Sequence, residues 1–105
     1  MKLAIIESPF AGDIEGNIQY ARKAVKHALS LGYSPIASHL LFTQEGILDD
    51  AIPEERKKGI EAGLSWYKVA DICLVYMDKG ISEGMMQGIN RAVHFGVDIK
   101  YFSLE

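Results

Sequence analysis

The sequence contains a single cysteine, only three prolines and no long run of basic residues. One cysteine excludes an intrachain disulfide and a multi-cysteine metal site, and Cys73 lies within an apolar run, so we expect it to be a small buried residue. The 11 Lys and Arg against 14 Asp and Glu give a net charge of −3. Because no basic track could neutralise a row of phosphates, nucleic acid is a poor candidate partner.

Long hydrophobic runs are missing as well. The apolar stretch Leu3–Ile6 is followed by Glu7, which makes it far shorter than a secretory signal core or the roughly 20 residues of a membrane span. We therefore expect a cytoplasmic protein without a membrane partner. The 105 residues have room for one domain, 1–105, and because self-association would stabilise its small core we expect a homo-oligomer.

Short runs with strand character alternate with longer helical patterns. The predicted strands are Leu3–Ile6, Pro35–Ser38, Ile72–Met77 and Ile99–Phe102. Strands separated by helices predict a parallel sheet, and right-handed crossovers place helices on both of its faces. The expected fold class is α/β, a small three-layer sandwich with a four-stranded parallel, Rossmann-like sheet.

Capping signals bound two of the three predicted helices. Asp13 and Ser82 are suited to N-cap positions, and Gly32 and Gly96 to positions just beyond a helix end. A further helix is expected to begin at Pro53 and to end near residue 69. The segment from residue 39 to residue 52 is predicted to be a long loop.

The first segment that follows a strand has the ingredients of a ligand-binding loop. In open parallel sheets ligands bind at the carboxyl ends of the strands, where the strand order reverses. Ser8 offers a hydroxyl there, Phe10 offers a face for stacking a base, and Gly12 with Asp13 leads into a helix. The same residues also suit a plain strand-to-helix turn, and the glycine-rich dinucleotide pattern is absent.

A second candidate segment begins the helix near residue 82. Ser82, Gly84 and Met85 would present free backbone N–H groups, which together with the helix dipole attract an anion such as phosphate. Glu83 satisfies the same dipole and would repel a phosphate unless it turns toward a ribose hydroxyl. As pure structure, Ser82 is a cap and Glu83 a dipole partner.

Histidines and carboxylates supply the other candidates. His39 follows the second strand, where it would contact a phosphate or sugar oxygen or be a satisfied, partly buried side chain, while His27 and His94 are expected at the surface. Their spacing does not fit a metal site, and we expect neither metal nor cofactor. Attack at an anomeric carbon needs a carboxylate, and no spacing singles out one of the four candidates: Glu7, Asp13, Glu61 and Glu83.

As a set, the stretches 8–13, 32–42, 53–56 and 81–85 resemble the nucleoside 2-deoxyribosyltransferase-like superfamily. The resemblance covers nearly the whole chain and is closest to a small uncharacterised branch found in phages and bacteria. It implies a deoxyribosyltransferase-like fold with a nucleoside or nucleotide above the strand ends, the base near the first loop, and a helical glutamate that attacks the anomeric carbon.

Two glycines stand where the resembling enzymes carry carboxylates. The place of the nucleophile falls on Gly88, and the place of an aspartate that holds the sugar falls on Gly63. Glycine in a helix interior costs about 1 kcal/mol relative to alanine, so these residues are not there for helix stability. They either make room for a larger, anionic ligand or permit close helix packing.

The leading hypothesis is a non-catalytic nucleotide-binding protein. By analogy it would act as a phage anti-defence sponge for an ADP-ribose-type or cyclic nucleotide immune signal. The alternative is a nucleoside or nucleotide N-glycosidase, or a 2-deoxyribosyltransferase, in which Glu83 or Glu7 replaces the missing nucleophile. A third reading is a protein-binding module with Trp66 and Tyr67 at the partner surface.

Overall fold

The computed structural model describes residues 1–105 as alternating strands and helices. The strands are β1 (Leu3–Glu7), β2 (Ser34–Ile36), β3 (Ile72–Tyr76) and β4 (Asp98–Phe102). The helices are α1 (Ile14–Ser30), α2 (Ser38–Leu41), α3 (Pro53–Ser65) and α4 (Glu83–Phe95), and a 3₁₀ turn (Trp66–Lys68) follows α3. None of these helices is both long enough and apolar enough to cross a membrane.

All four strands run parallel in the order β2-β1-β3-β4, which confirms the predicted sheet. Ala4 pairs with Ile72 at the centre, and Ile72 pairs with Asp98 at one side. The chain steps outward from β1 to β2 and then returns to the other side of β1 for β3. The strand order therefore reverses between β1 and β3, and a crevice is expected beyond their carboxyl ends.

Alternating side chains of the central strands feed two cores, one on each face of the sheet. Ala4, Ile6, Leu74 and Tyr76 pack toward α1. The intervening residues pack toward α3, the 3₁₀ turn and α4, where the core includes the following side chains: Ile5, Leu64, Tyr67, Cys73, Val75, Met85, Ile89 and Ala92. This alternation gives the three-layer sandwich, and it places the side chain of Glu7 on the α3/α4 face with Ile5.

The predicted helix boundaries are confirmed where a side chain or glycine marks them. The Asp13 carboxylate accepts a hydrogen bond from the backbone N–H of Gly16, and the Ser82 hydroxyl accepts one from Met85. Gly96 ends α4 in the left-handed conformation, with φ of 68°, which glycine adopts without a steric cost.

The second strand and the segment after it differ from the prediction. The strand is Ser34–Ile36 rather than 35–38, and residues 38–41 form the short helix α2 instead of the start of a loop. Thr43 stabilises this turn by donating its hydroxyl to the carbonyl of His39 at 2.6 Å. No capping side chain precedes α2, so no sequence signal marked it.

Two surface assignments also need correction. His27 is only partly exposed, because its Nδ1 lies 2.9 Å from the Tyr76 hydroxyl. Tyr67 is 1% exposed and belongs to the core, so it cannot form a partner surface, whereas its neighbour Trp66 is 45% exposed.

Pro35 occupies the middle of the edge strand β2, opposite Ala4.

Candidate functional site

A cavity of about 320 Å³ lies at the carboxyl ends of β1 and β2, between the sheet and helices α2, α3 and α4. Its volume is within the range of small-molecule sites. Seven of the nine ligand-binding residues proposed from the sequence line it: Ser8, Phe10, His39, Ser82, Glu83, Gly84 and Met85. The segments that follow separate strands therefore meet at one site.

The remaining sequence candidates lie outside this cavity lining. Gly12 has the positive φ of 94° that the turn before α1 requires, and Asp13 uses its carboxylate to cap α1. Of the four carboxylates considered for attack at an anomeric carbon, Glu7 and Glu83 line the cavity. Glu61 faces Arg91 on the surface at 3.9 Å and does not line it.

Ser8 and His39 form a close pair in the cavity wall. The Ser8 Oγ lies 2.6 Å from the His39 Nε2, and Ser8 is buried. Burial lowers the pKa of His39 to about 4, because the charged imidazolium would lose its hydration. At neutral pH this wall therefore offers hydrogen bonds without a positive charge.

Glu7 is the largely buried carboxyl group of the site. It follows the last apolar residue of β1, and its Oε2 accepts a hydrogen bond from the Tyr67 hydroxyl at 2.6 Å. Burial raises the pKa of Glu7 to about 7, although the hydrogen bond from Tyr67 acts in the opposite direction. Near neutral pH the group therefore exists in both protonation states, as suits an acid–base residue, and its deprotonated fraction could act as a nucleophile.

Gly88 provides the space that the Glu7 carboxyl occupies. A Cβ atom at position 88 would collide with the carboxyl, and even Oε1, the more distant oxygen, would lie 2.9 Å from it. Gly88 is buried within α4, on the face that packs against the sheet. The carboxyl from β1 therefore reaches the place at which a side chain from α4 would begin.

Gly63 and Ser38 repeat this relationship at a second point of the cavity wall. A Cβ atom at position 63 of α3 would collide with the Ser38 hydroxyl and would lie 2.9 Å from the Ser38 Cβ. Both residues line the cavity. Each helical glycine thus makes room for a polar side chain at the end of a strand or just after it.

The loop after β1 is held by Asn17, a buried polar residue of α1. Its side-chain amide donates hydrogen bonds to the carbonyls of Phe10 and Ala11 at 2.9 and 3.0 Å. Its carbonyl oxygen accepts one from Lys79 Nζ at 3.2 Å. Asn17 thereby positions the Phe10 ring at the cavity without contacting the cavity itself.

Sequence reasoning missed several residues that line the cavity. Phe42 adds a second aromatic side chain, and Arg56 adds a cation from the exposed start of α3, beside the carboxylate of Glu55. Arg56 falls in the stretch 53–56 that carries the family resemblance, and this was the signal that could have indicated it. No group of three His, Cys, Asp or Glu side chains is arranged to hold a metal ion.

The arrangement of the fold and cavity can be compared with known proteins. A family model described as a domain of unknown function, DUF7768, matches residues 2–102. Comparison with curated protein sequences finds none that matches.

Two similar solved structures are 2-deoxyribosyltransferases. The enzyme from the bacterium Bacillus psychrosaccharolyticus superposes with a TM-score of 0.73 at 19% identity, over 96% of this chain and 72% of that chain. The enzyme from Leishmania mexicana superposes with a TM-score of 0.63 at 15% identity, over all of this chain and 66% of that one, just under two thirds of its length. At these identities the likeness concerns the fold, and the deoxyribosyltransferase-like architecture expected from the sequence is confirmed. The chain belongs to the DUF7768 family and has the fold of the 2-deoxyribosyltransferases.

Proposed function

We propose that the cavity binds a nucleoside or nucleotide and that Glu7 acts at the anomeric carbon of its sugar. The observation that carries this proposal is the placement of the Glu7 carboxyl in the space beside Gly88, inside the cavity. The resembling enzymes carry their nucleophile on the matching helix position. A glycine there does not leave this chain without a carboxyl group, because β1 delivers one to the same place.

The rest of the cavity has the chemistry of a nucleoside site. Phe10 and Phe42 offer aromatic faces to a base, and the hydroxyls of Ser8 and Ser38 with the neutral His39 offer hydrogen bonds to a sugar. For a nucleotide, Arg56 supplies a cation that would pair with phosphate. We place the sugar between these groups, next to Glu7.

The proposed reaction begins with attack of a Glu7 oxygen on C1′. A C1′–O ester bond forms while the C1′–N bond breaks, and the electron pair of that bond leaves with the base, which takes a proton from water. Hydrolysis of the ester, or its attack by a second base, then releases the sugar and restores the carboxylate. The rate should increase as pH rises through about 7, since the nucleophile is the deprotonated form.

The test is release of free base from the four common 2′-deoxynucleosides and their 5′-monophosphates, followed by chromatography. We expect release by the unmodified chain and at least a hundredfold loss in Glu7→Gln, the order of magnitude expected for a catalytic carboxyl. Glu61→Gln is the matched control, because Glu61 is a surface carboxyl outside the cavity and should retain most activity. Absence of release from every compound, or equal loss in both variants, would contradict a catalytic role for Glu7.

Sequestration without turnover is the second candidate, and the Ser38–Gly63 contact favours it. In the resembling enzymes an aspartate at the position of Gly63 assists proton transfer, whereas here a hydroxyl fills that space. We would then expect ADP-ribose, a cyclic dinucleotide or a nucleoside monophosphate to bind and to be recovered unaltered. Calorimetry followed by mass spectrometry of the recovered ligand separates this outcome from cleavage.

A further inference from the structure

The two oxygens of the Glu7 carboxyl have different surroundings. Oε2 accepts the hydrogen bond from Tyr67, whereas Oε1 receives no hydrogen bond from any part of the chain. The protein has no fully buried side-chain oxygen or nitrogen that lacks a partner. Because Glu7 lines the cavity, Oε1 is therefore the oxygen that reaches it.

We infer that Tyr67 is a positioning residue: by holding Oε2 it presents Oε1, and only Oε1, to the ligand. Tyr67 is fixed in the core below the cavity and does not line it. The collision that a side chain at position 88 would cause shows how closely the held carboxyl packs against α4. For its consequence in catalysis this inference rests on the proposed function, whereas the assignment of the two oxygens does not.

The hydrogen bonds also determine where the Glu7 proton lies. Burial and the neighbouring Glu7 raise the pKa of Tyr67, so the phenol keeps its proton and donates it to Oε2. While the phenol donates to Oε2, a protonated Glu7 carries its own proton on Oε1, facing the cavity. The Tyr67 oxygen is left to accept from the Cys73 thiol at 3.2 Å, and burial raises the pKa of that thiol to about 12.

These two hydrogen bonds have the same direction: the Cys73 thiol donates to the Tyr67 oxygen, and the Tyr67 hydroxyl donates to Glu7. Above its pKa, Glu7 offers Oε1 as an unprotonated nucleophile, and below it Oε1 is a proton donor aimed into the cavity. Other ionisable groups reach the cavity from the surrounding elements: His39 from α2, Glu83 from α4, Glu55 and Arg56 from α3, and Asp50 from the loop before α3. None of them hydrogen bonds to Glu7, so Tyr67 is its sole side-chain partner.

The test replaces Tyr67 with phenylalanine and follows the Glu7 carboxyl carbon by NMR titration without ligand. Loss of the donor should raise the Glu7 titration midpoint by about one pH unit, because burial is retained while the stabilising hydrogen bond is lost. Tyr76→Phe is the matched control, since Tyr76 is another buried tyrosine but packs toward α1 on the opposite face. A midpoint in Tyr67→Phe equal to that in the control would overturn the inference.

Cys73→Ala supplies a second measurement if Tyr67→Phe folds poorly. Removing the thiol that donates to the phenol should weaken Tyr67 as a donor and raise the Glu7 midpoint by a smaller amount. An unchanged or lowered midpoint would contradict the chain of hydrogen bonds.

Activity provides a separate readout where base release is observed. In Tyr67→Phe the rising part of the plot of kcat against pH should shift to higher pH by the same amount as the NMR midpoint. The change in KM should be smaller. A shifted limb without a shifted midpoint would exclude Tyr67 as the residue that positions Glu7. Absence of base release would instead contradict the proposed function and leave the ligand-free titration valid.

Discussion

The carboxyl of Glu7 fills the space beside Gly88 that any other residue at position 88 would need. The two residues are far apart in the chain and belong to different layers of the sandwich, since Glu7 ends β1 and Gly88 lies in α4. Their contact places a carboxyl with a raised pKa in the wall of the cavity at the strand ends.

Gly88→Ala should destabilise the protein by about 2–3 kcal/mol, because the new methyl group collides with the Glu7 carboxyl in a closely packed wall. Gly84→Ala is the control on the same helix: its Cβ would meet nothing closer than the Ser82 Oγ at 4.0 Å, and it should gain up to about 1 kcal/mol in helix propensity. Urea unfolding measures both. The double variant Glu7→Ala/Gly88→Ala should recover most of the loss, and strictly additive effects would contradict the contact.

Gly63→Ala should lower the free energy of unfolding by about 1–3 kcal/mol through its collision with Ser38. The comparison is Gly59→Ala in the same helix, whose Cβ would meet only the end of the Leu48 side chain at 3.2 Å. That flexible side chain can move, so a small effect is expected. Thermal or urea unfolding should rank the two variants in this order, and an equal loss in both would show that Ser38 is not the cause.

Glu7 and His39 should give opposing dependences of stability on pH. Folding raises the pKa of Glu7 from 4.5 to about 7, so the folded state binds more protons in this range and the free energy of unfolding falls as pH rises. Folding lowers the pKa of His39 from 6.5 to about 4, so the unfolded state binds more protons and the free energy of unfolding rises with pH.

Single variants should separate these two slopes. Between about pH 4.5 and 6.5, Glu7→Gln should become more stable as pH rises, whereas His39→Gln should become less stable, each by about 1–3 kcal/mol across the interval. Urea unfolding at several pH values measures both. Profiles with the same slope in the two variants would show that these groups do not determine the dependence.

Asn17→Ala should destabilise the protein by about 1–3 kcal/mol, since it leaves the carbonyls of Phe10 and Ala11 without their donor. Amide exchange in residues 8–12 should accelerate, because the loop loses its attachment to α1. Asn90→Ala, at an exposed position of α4, is the control: it should stabilise the protein by less than about 1 kcal/mol through helix propensity and leave exchange in residues 8–12 unchanged. Slow exchange in the loop of Asn17→Ala would show that other contacts hold it.

Local signals predicted most of the fold. Helix ends depend on residues within one turn, so they can be predicted from the sequence. The N-caps Asp13 and Ser82 and the C-terminal Gly96 are examples. The apolar runs and the helices between them likewise predicted the parallel sheet. Helix α2 was missed because four residues without a cap leave no periodicity to detect.

The contacts that define the cavity could not be predicted in the same way. The sequence shows a glutamate after an apolar strand and a glycine inside an amphipathic helix, and each pattern has several explanations. Only the packing of α4 on β1 shows that Gly88 makes room for Glu7. The sequence left two explanations for the helical glycines, a roomier ligand site or close helix packing. The structure shows a third: a polar side chain, Glu7 or Ser38, occupies the space beside each glycine.

Pro35 has a consequence for the behaviour of this chain at high concentration. The outer edge of β2 has no neighbouring strand, and such edges are where sheets of separate molecules join into larger aggregates. A proline at the middle of a three-residue strand removes one of the few amide hydrogens available for that joining. Valine or threonine at this position would restore an outward-facing amide hydrogen, so that β2 could pair with a strand of another molecule. The replacement should therefore lower the solubility limit.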